Sequence, residues 1–365
     1  MKRDSLNVGV VGCGSISDIY LKNMIGRFKN LNVVCCCAAH YENAVKKAEQ
    51  YHIRPCTFEE MLADPQIDMV VVLTPTPSHY QLIKDALMAG KHVYTEKTMT
   101  GELSQAAELL RLAREKGLYL GAAPDTFLGA SLQNARKAID DGLIGQVTGF
   151  QISANRDLNL LASFAKFLRL PGGGISYDYG VYYLTALVSL LGPAAQVCAK
   201  FKNQSAIRTN IFPQSPEFGQ TYEYPNESQV SAIVELRSGV MGTFCLNGDT
   251  AIDDLSVFLV YGSKGILRLG NPNEFGGSVS FLPNRAVVSG GEQKIDHGFD
   301  FSDNCRGVGP SEMASAILEG RGARASSELA YHILEIICKM ERSSESGMFE
   351  AVDSTCRLPE PMGKS

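Results

Sequence analysis

The chain has 365 residues, more than the roughly 100–200 of an ordinary single domain, so we expect two domains. Hydrophobic residues make up 45% and charged residues 20%, a globular composition that excludes the disordered and membrane-embedded classes. The net charge is −5 and no block of Lys or Arg stands out, which argues against a nucleic-acid partner because phosphate binding requires clustered positive charge.

The first third of the chain alternates short apolar runs with amphipathic stretches of helical length, which indicates a parallel sheet with crossover helices. The predicted strands are Val8–Val11, Val33–Ala39, Met69–Leu73, His92–Tyr94 and Leu118–Ala122. The predicted helices are Ile16–Phe28, Glu42–Tyr51, Ser78–Met88 and Leu103–Lys116. Residues 1–124 are therefore predicted to form an α/β domain.

The pattern changes after Pro124. Further helices are predicted at Leu132–Asp141, Asp178–Leu191, Ser311–Glu319 and Ser327–Arg342, with a strand at Val147–Ala154. Two more strands, Gln229–Leu236 and Val240–Leu246, are joined by the short turn 237–239, which is typical of an antiparallel hairpin. Residues 125–365 are therefore predicted to form a second, α+β domain.

The ten cysteines include three consecutive ones at 35–37 and show no spacing typical of disulfide frameworks or zinc sites. We interpret them as buried thiols and expect no metal. The N-terminus lacks the apolar stretch of a signal peptide, and no apolar run approaches the roughly 20 residues that span a bilayer. These features predict a cytoplasmic protein with no membrane partner.

A glycine turn follows the first predicted strand and opens the first helix. In this context glycines allow a tight turn and close backbone approach, and the helix N-terminus attracts the pyrophosphate of a dinucleotide. The alternative is a strand-to-helix turn without a ligand. Ser17 stands where a third Gly or Ala is usual. The predicted cofactor-binding residues of the turn are Gly12, Gly14, Ser15, Ile16 and Ser17.

The end of the second strand normally carries an acidic residue that bonds the ribose hydroxyls of NAD. Here Ala38 and His40 occupy this place. Ala38 leaves room for a 2′-phosphate and His40 can help to neutralise it, so we hypothesise that NADP is accepted at least as well as NAD. The alternative is that His40 is only an exposed loop residue.

Two further motifs follow later strands, at the edge where open α/β sheets bind ligands. The first contains Thr74, Pro75 and His79, and the second is Glu96-Lys97. A Lys at this edge favours the alkoxide or phenolate formed during proton abstraction. The alternative for Lys97 is an ordinary surface charge.

Together these motifs resemble the Gfo/Idh/MocA family, that is, the glucose–fructose oxidoreductase and inositol dehydrogenase family. The resemblance covers essentially the whole chain. It implies a Rossmann domain, with Thr74, Pro75, His79 and Glu96 at the cofactor, joined to an open-faced, mostly antiparallel sheet domain that holds the substrate. It also implies a homodimer or homotetramer built through that C-terminal sheet. Its remaining motifs are residues 89–93, Gly172-Gly173-Gly174, Asp178-x-Gly180-x-Tyr182, Arg306-Gly307 and residues 328–335.

The resemblance also implies the catalytic residues. Lys97 matches the Lys of the family's Glu-Lys-Pro motif, which contacts the substrate hydroxyl and the nicotinamide ribose; Thr98 replaces the Pro. Asp178 and Tyr182 match the family's Asp-x-Gly-x-His signature with Tyr in place of His, as in glucose–fructose oxidoreductase, where Tyr looks like the acid/base. Four residues apart on a helix, these two side chains share one face. We therefore expect Lys97, Asp178 and Tyr182 to bind and convert the substrate.

Two more polar residues are candidates for substrate contact, Asp125 just after the last strand of the first domain and Arg156 at the end of the first strand of the second. The alternative is that both are ordinary surface-loop residues. The neighbouring Tyr177, Tyr179 and Tyr183 are interpreted as an aromatic packing cluster.

The expected activity is that of an NAD(P)-dependent dehydrogenase or reductase of a sugar, glycoside or cyclitol. Oxidation of a glucoside at its 3-position is one option. A cofactor-dependent glycoside-cleaving enzyme with transient oxidation is an alternative that the retained Lys97 disfavours. A redox-silent dinucleotide sensor is another, and the presence of Lys97, Asp178 and Tyr182 argues against it.

Overall fold

The computed structural model describes residues 4–251, 255–284 and 291–363. These residues fold into two compact units. The first unit contains the chain up to Leu128 and a returning segment, Asn304–Tyr331. The second unit contains Gly129–Asp303 and the chain from His332 onwards.

Both units combine strands with helices. The strands, in chain order, are β1 Leu6–Val11, β2 Leu31–Cys37, β3 Arg54–Pro55, β4 Met69–Val72, β5 His92–Thr95, β6 Leu120–Ala122, β7 Val147–Asn155, β8 Ala194–Lys202, β9 Ile207–Thr209, β10 Thr221–Glu223, β11 Gln229–Leu236, β12 Met241–Asn247, β13 Val257–Gly262, β14 Gly265–Leu269, β15 Val279–Pro283, β16 Gln293–Ile295 and β17 Glu350–Ala351. The helices are α1 Ser15–Gly26, α2 Tyr41–Tyr51, α3 Phe58–Ala63, α4 His79–Met88, α5 Leu103–Glu115, α6 Ala130–Asp140, α7 Leu158–Phe164, α8 Val181–Leu191, α9 Val308–Glu319 and α10 Ser327–Ser346.

The first unit is built on a six-stranded parallel sheet in the order β3-β2-β1-β4-β5-β6. Its central strands are continuous apolar runs because helices cover both faces of such sheets; all four residues of β4 are buried. The predicted α/β domain is confirmed. Sequence periodicity missed the two-residue β3 and the six-residue α3, although α3 begins with a capping box formed by Thr57 and Glu60.

The second unit is built on a nine-stranded sheet in the order β16-β15-β14-β13-β7-β12-β11-β8-β17. Its neighbouring strands are antiparallel except for the parallel pair β12 and β7. The predicted hairpin is confirmed, with Gly239 at φ +83° and the amide of Leu236 bonded to the carbonyl of Val240 at 2.8 Å. Ile233 and Met241 are exposed on this hairpin. Assembly through the sheet stays a prediction.

Three consecutive cysteines lie inside the first unit on β2. Cys35, Cys36 and Cys37 are buried, and burial raises the pKa of Cys37 to about 12. All ten cysteines are free thiols; Cys56 and Cys305 are also buried, and the other five are partly exposed. The interpretation as buried thiols is therefore confirmed for half of them.

The returning segment is fixed by buried polar contacts. Asn23 donates hydrogen bonds to the carbonyls of Asn304 and Arg306 at 2.9 and 2.8 Å. Asp125 is 1% exposed, and its Oδ2 accepts the amides of Gly307 and Gly309 at 3.2 and 3.0 Å, at the start of α9. The predicted division at residue 124 missed this segment because contacts between distant parts of a chain leave no local pattern.

Asp125 therefore acts inside the first unit as a remote cap of α9. Burial raises the pKa of its carboxyl to about 6, although the two amides and the nearby Arg306 favour the charged form. These bonds account for Asp125 without a ligand. Its contact with substrate stays a prediction.

Replacing Asp125 with Asn tests this role. The amide oxygen of Asn can accept the same two hydrogen bonds without carrying a charge. An unfolded aspartate has a pKa of about 3.9, so the folded state binds the proton more tightly, and wild-type stability falls as the pH rises from about 4 through 6. We expect Asp125→Asn to unfold at a higher Tm than wild type at pH 8. Each kcal/mol gained in the free energy of unfolding should raise the Tm by about 2–4 °C.

The difference in Tm between Asp125→Asn and wild type should shrink as the pH falls below 6, because wild-type Asp125 then becomes neutral in the folded state. Asp125→Ala, which removes the acceptor, should be destabilised at every pH. A difference in Tm between Asp125→Asn and wild type that does not change between pH 8 and pH 4.5 would contradict this assignment.

Candidate active site

The glycine turn of the first unit depends on Gly12 for a conformational reason. Its φ is +103°, and a Cβ at this position would lie 2.8 Å from the backbone carbonyl carbon of Leu73 and 3.0 Å from a methyl carbon of Thr74. Its amide donates a hydrogen bond to the carbonyl of Cys37 at 2.9 Å. Gly12 therefore brings the ends of β1, β2 and β4 close together, as a side chain would not permit.

Gly14 differs from Gly12, because the described residues themselves do not require a glycine there. It is the N-cap residue of α1, has an extended backbone and makes no side-chain cap, and a Cβ built there meets no atom of the described residues within 4 Å. The helix therefore begins with Ser15 and Ile16 beside open space. Backbone amides and the helix dipole at such an end attract phosphate groups, so the site fits the pyrophosphate of a dinucleotide.

Ser17 occupies the third position of the glycine turn. It is fully buried, and its hydroxyl donates a hydrogen bond of 2.6 Å to the carbonyl of Gly14. A polar side chain is accommodated here because its hydrogen bond is satisfied within the turn. The departure from Gly or Ala therefore leaves the geometry of the turn intact.

The end of β2 carries no carboxylate between residues 37 and 40. Ala38 is partly exposed, and His40 is exposed at the N-cap of α2, where its side chain makes no capping bond. Both predicted cofactor residues therefore lie at the carboxyl edge of the sheet with accessible surface. Their contact with a cofactor stays a prediction.

His79 joins the two segments that follow β4 and β5. It is buried, its Nε2 lies 2.7 Å from the carbonyl oxygen of Thr74, and its Nδ1 lies 2.8 Å from that of Thr98. Burial lowers the pKa of this imidazole. His79 thus holds in place the predicted cofactor residues Thr74 and Pro75. Direct contact of His79 with a cofactor stays a prediction.

Glu96 fixes the backbone beside Lys97. Its Oε1 accepts the hydroxyl of the fully buried Tyr20 at 2.6 Å, and its Oε2 accepts the amide of Lys97 at 3.0 Å. Burial, followed by the charge of Glu96, raises the pKa of Tyr20, which therefore stays a donor. The partly exposed Lys97 follows β5 at the same edge of the sheet as the glycine turn.

In the second unit, Asp178 and Tyr182 lie at a junction of two helix types. Residues Ser176–Gly180 form a π-helical turn that leads directly into α8, and Val181 donates to the carbonyl of Ser176, five residues earlier. The predicted regular helix over Asp178–Leu191 is therefore corrected at its start. Such π turns are rare and occur frequently at functional sites, because the wider turn redirects side chains.

Arg156 lies beside this turn. It follows β7, its Nη2 is 4.0 Å from Oδ2 of Asp178, and its guanidinium carbon is 4.3 Å from the centre of the Tyr179 ring. The Nε of Arg156 is buried without a hydrogen-bond partner among the described residues. The structure therefore brings two of the predicted substrate-binding residues together, with one donor still available.

The three neighbouring tyrosines make contacts within the second unit. The hydroxyls of Tyr179 and Tyr183 are 3.2 Å apart, and the hydroxyl of Tyr177 donates to Glu341 at 2.9 Å. These contacts agree with the packing interpretation. Tyr182 is 8% exposed in the first turn of α8.

Sequence reasoning missed one residue of this region, Glu227. Its Oε1 accepts the amide of Ser176 at 2.9 Å, at the start of the π turn. Burial raises the pKa of its carboxyl to about 7. No local sequence pattern links Glu227 to Ser176, since the two are 51 residues apart in the chain. The only sequence signal was indirect, in the unusual run of three glycines just before the turn.

No group of three His, Cys, Asp or Glu side chains in the described ranges could hold a metal ion. Among the helices whose residues the structure describes, none is long and apolar enough to cross a membrane.

A parallel sheet with an open glycine turn, together with a second unit in which Asp178 of a π turn lies beside Arg156, is typical of two-domain dinucleotide-dependent oxidoreductases. Residues 6–123 match the model of the GFO/IDH/MocA oxidoreductase family with its NAD-binding Rossmann fold. Residues 132–268 match the GFO/IDH/MocA C-terminal domain. The chain belongs to the GFO/IDH/MocA family of NAD(P)-binding oxidoreductases.

Several known proteins are similar to this chain. An uncharacterized oxidoreductase of Schizosaccharomyces pombe is 33% identical over 41% of this chain and 40% of the relative. The scyllo-inositol 2-dehydrogenase (NADP(+)) of Bacillus subtilis is 25% identical over 60% of this chain and 62% of the relative. The chain thus spans less than two thirds of either relative.

The solved structure of levoglucosan dehydrogenase in complex with NADH and levoglucosan is also similar. It has a TM-score of 0.81 at 17% identity and covers 96% of this chain and 100% of its own. At this identity the likeness shows the fold.

The two glycines of the turn can be distinguished by substitution. Gly14→Ala places a methyl group in open space, so we expect a Tm close to that of wild type. Dinucleotide binding should weaken at least tenfold, which corresponds to a loss of roughly 1.4 kcal/mol of binding free energy. Gly12→Ala strains a left-handed backbone and meets Leu73, so we expect a clearly lower Tm. Thermal unfolding and titration calorimetry measure both effects. Wild-type affinity in Gly14→Ala would show that the open space does not receive the dinucleotide.

Proposed function

We propose that this protein is an NAD(P)-dependent dehydrogenase that transfers a hydride between nicotinamide and a secondary alcohol or ketone of a sugar, glycoside or cyclitol. The observation that carries the proposal is the π turn, in which Asp178 lies beside the partly buried Arg156 and which leads into the helix that carries Tyr182. A carboxylate, a guanidinium and a phenol suit a ligand with several hydroxyl groups. Two of the similar proteins are named for such compounds, scyllo-inositol and levoglucosan.

Each proposed residue has one chemical role. Tyr182 takes the proton of the reacting hydroxyl during oxidation and returns it during reduction. The ammonium of Lys97 favours the alkoxide that forms, and Asp178 accepts a hydrogen bond from the reacting or an adjacent hydroxyl. The guanidinium of Arg156, whose side chain is 19% exposed, binds another oxygen of the substrate. When bound, the nicotinamide accepts or supplies the hydride.

Replacing Tyr182 with Phe tests the acid/base assignment. We expect turnover to fall by roughly 100-fold or more, because a positioned acid or base contributes this much. The assay follows absorbance of the reduced nicotinamide with a panel of sugars, glycosides and cyclitols. Tyr183→Phe is the matched control, since that hydroxyl contacts Tyr179 in the core, and it should retain most activity.

Unchanged turnover in Tyr182→Phe would remove this residue from the mechanism. Cleavage of a glycoside without net reduction of the cofactor would favour the glycoside-cleaving alternative.

We further propose that NADP is accepted at least as well as NAD. The support is the absence of a carboxylate at residues 37–40, at the end of β2, and the exposed His40. Ala38→Asp introduces a carboxylate that repels a 2′-phosphate, so we expect the Kd for NADP to rise by at least tenfold relative to the Kd for NAD. Titration of wild type and variant with both dinucleotides measures the ratio. Much tighter binding of NAD than of NADP by wild type would refute the proposal.

A further inference from the structure

We propose that Glu227 is a positioning residue of the active site, and that Gly174 is glycine in order to admit its carboxylate. The carboxylate holds the start of the π turn and thereby sets where Asp178 and Tyr182 lie. This inference rests on the proposed function of those two residues.

A continuous path of hydrogen bonds joins Glu227 to the π turn. The carbonyl of Glu227 accepts the amide of Ile175 at 3.2 Å, and its Oε1 accepts the next amide, that of Ser176, at 2.9 Å. The carbonyl of Ser176 in turn accepts the amide of Val181, the residue before Tyr182. One acidic residue thus fixes two successive amides at the base of the catalytic segment.

Gly174 explains how the carboxylate reaches this place. A Cβ built on Gly174 would overlap both carboxylate oxygens of Glu227. The φ of Gly174 lies outside the left-handed region, so its backbone conformation is open to any residue. The carbonyl of Gly174 also accepts the amide of Asp178 at 2.9 Å. Glycine is therefore required here because any side chain would occupy the space of the Glu227 carboxylate, next to the segment that carries Asp178.

The residues on either side of Glu227 are held by hydrogen bonds of their own. The neighbouring Tyr224 is fully buried and donates its hydroxyl to the carbonyl of Gly173 at 3.1 Å. Asn226 donates to the carbonyls of Leu168 and Leu170 at 3.0 and 2.8 Å. One residue after Glu227, Ser228 bonds to Lys202 of β8 through its backbone, just before β11 begins. The π turn is thus fixed to the sheet through the segment 224–228, as a precise catalytic geometry requires.

The experiment compares kcat, KM and dinucleotide Kd for Glu227→Ala, Glu227→Gln, Gly174→Ala and the double variant Glu227→Ala/Gly174→Ala. Glu227→Ala removes the acceptor, so we expect kcat to fall by about 10- to 100-fold, the scale of a small misplacement of reacting groups. Glu227→Gln keeps an oxygen acceptor for Ser176 and should retain kcat within about threefold of wild type.

Gly174→Ala should lower kcat as much as Glu227→Ala, because the added methyl group displaces the carboxylate. The double variant should be no slower than Glu227→Ala alone, since the methyl group then occupies space that the carboxylate has left. The dinucleotide Kd should stay at the wild-type value in all four variants, because the glycine turn lies in the first unit. Glu223→Ala, at an exposed glutamate of β10, is the matched control and should behave as wild type.

Wild-type kcat in Gly174→Ala would overturn the inference. So would a kcat of the double variant that falls by the product of the two single-variant losses. Should Glu227→Ala fail to fold, the kcat of Gly174→Ala tests the inference alone, because this variant retains Glu227. The proposed function fails separately: full activity of Tyr182→Phe would refute the catalytic role of Tyr182, whatever Glu227→Ala does.

Discussion

The carboxyl edge of the six-stranded sheet depends on buried and partly buried polar side chains whose partners are the backbones of the surrounding loops. Glu96 accepts the amide of Lys97, His79 lies between the carbonyls of Thr74 and Thr98, and Asp125 accepts two amides at the start of α9. A buried polar group without a partner is costly, so each of these side chains restricts its loop to one arrangement. These contacts hold the loops of the predicted cofactor-binding edge without the help of a ligand.

The second unit uses the same principle with Glu227, an acid in the segment that precedes β11. A regular helix over residues 176–191 would keep a uniform spacing between its side chains, whereas the π turn redirects Asp178 relative to α8. The backbone amides just before such a turn still need hydrogen-bond acceptors from elsewhere in the chain. In this protein Glu227 accepts the amides of Ile175 and Ser176, and the absence of a side chain at Gly174 leaves room for its carboxylate. The start of the π turn at Ser176 and the acid that holds it are thus 51 residues apart in sequence.

Sequence patterns predicted most of the local structure because hydrophobic periodicity reports the elements directly. The hairpin of β11 and β12 and the parallel strands around the glycine turn follow from patterns within a few residues. The returning segment Asn304–Tyr331, the π turn and Glu227 were missed, because each depends on contacts between distant residues. Asp125 illustrates the limit: its residue type and place predict substrate contact, which stays a prediction, whereas its hydrogen bonds to the start of α9 had no local sequence pattern.

The two glycines of the turn also differ in what would preserve them through evolution. Gly12 is needed by the fold itself, since its left-handed backbone lies against Leu73. Gly14 borders open space and is needed only if a ligand occupies that space. In a descendant that lost dinucleotide binding but kept its fold, selection would retain Gly12 and would no longer act against substitution of Gly14. A side chain at position 14 beside an intact Gly12 would therefore mark a relative that has become a pseudoenzyme.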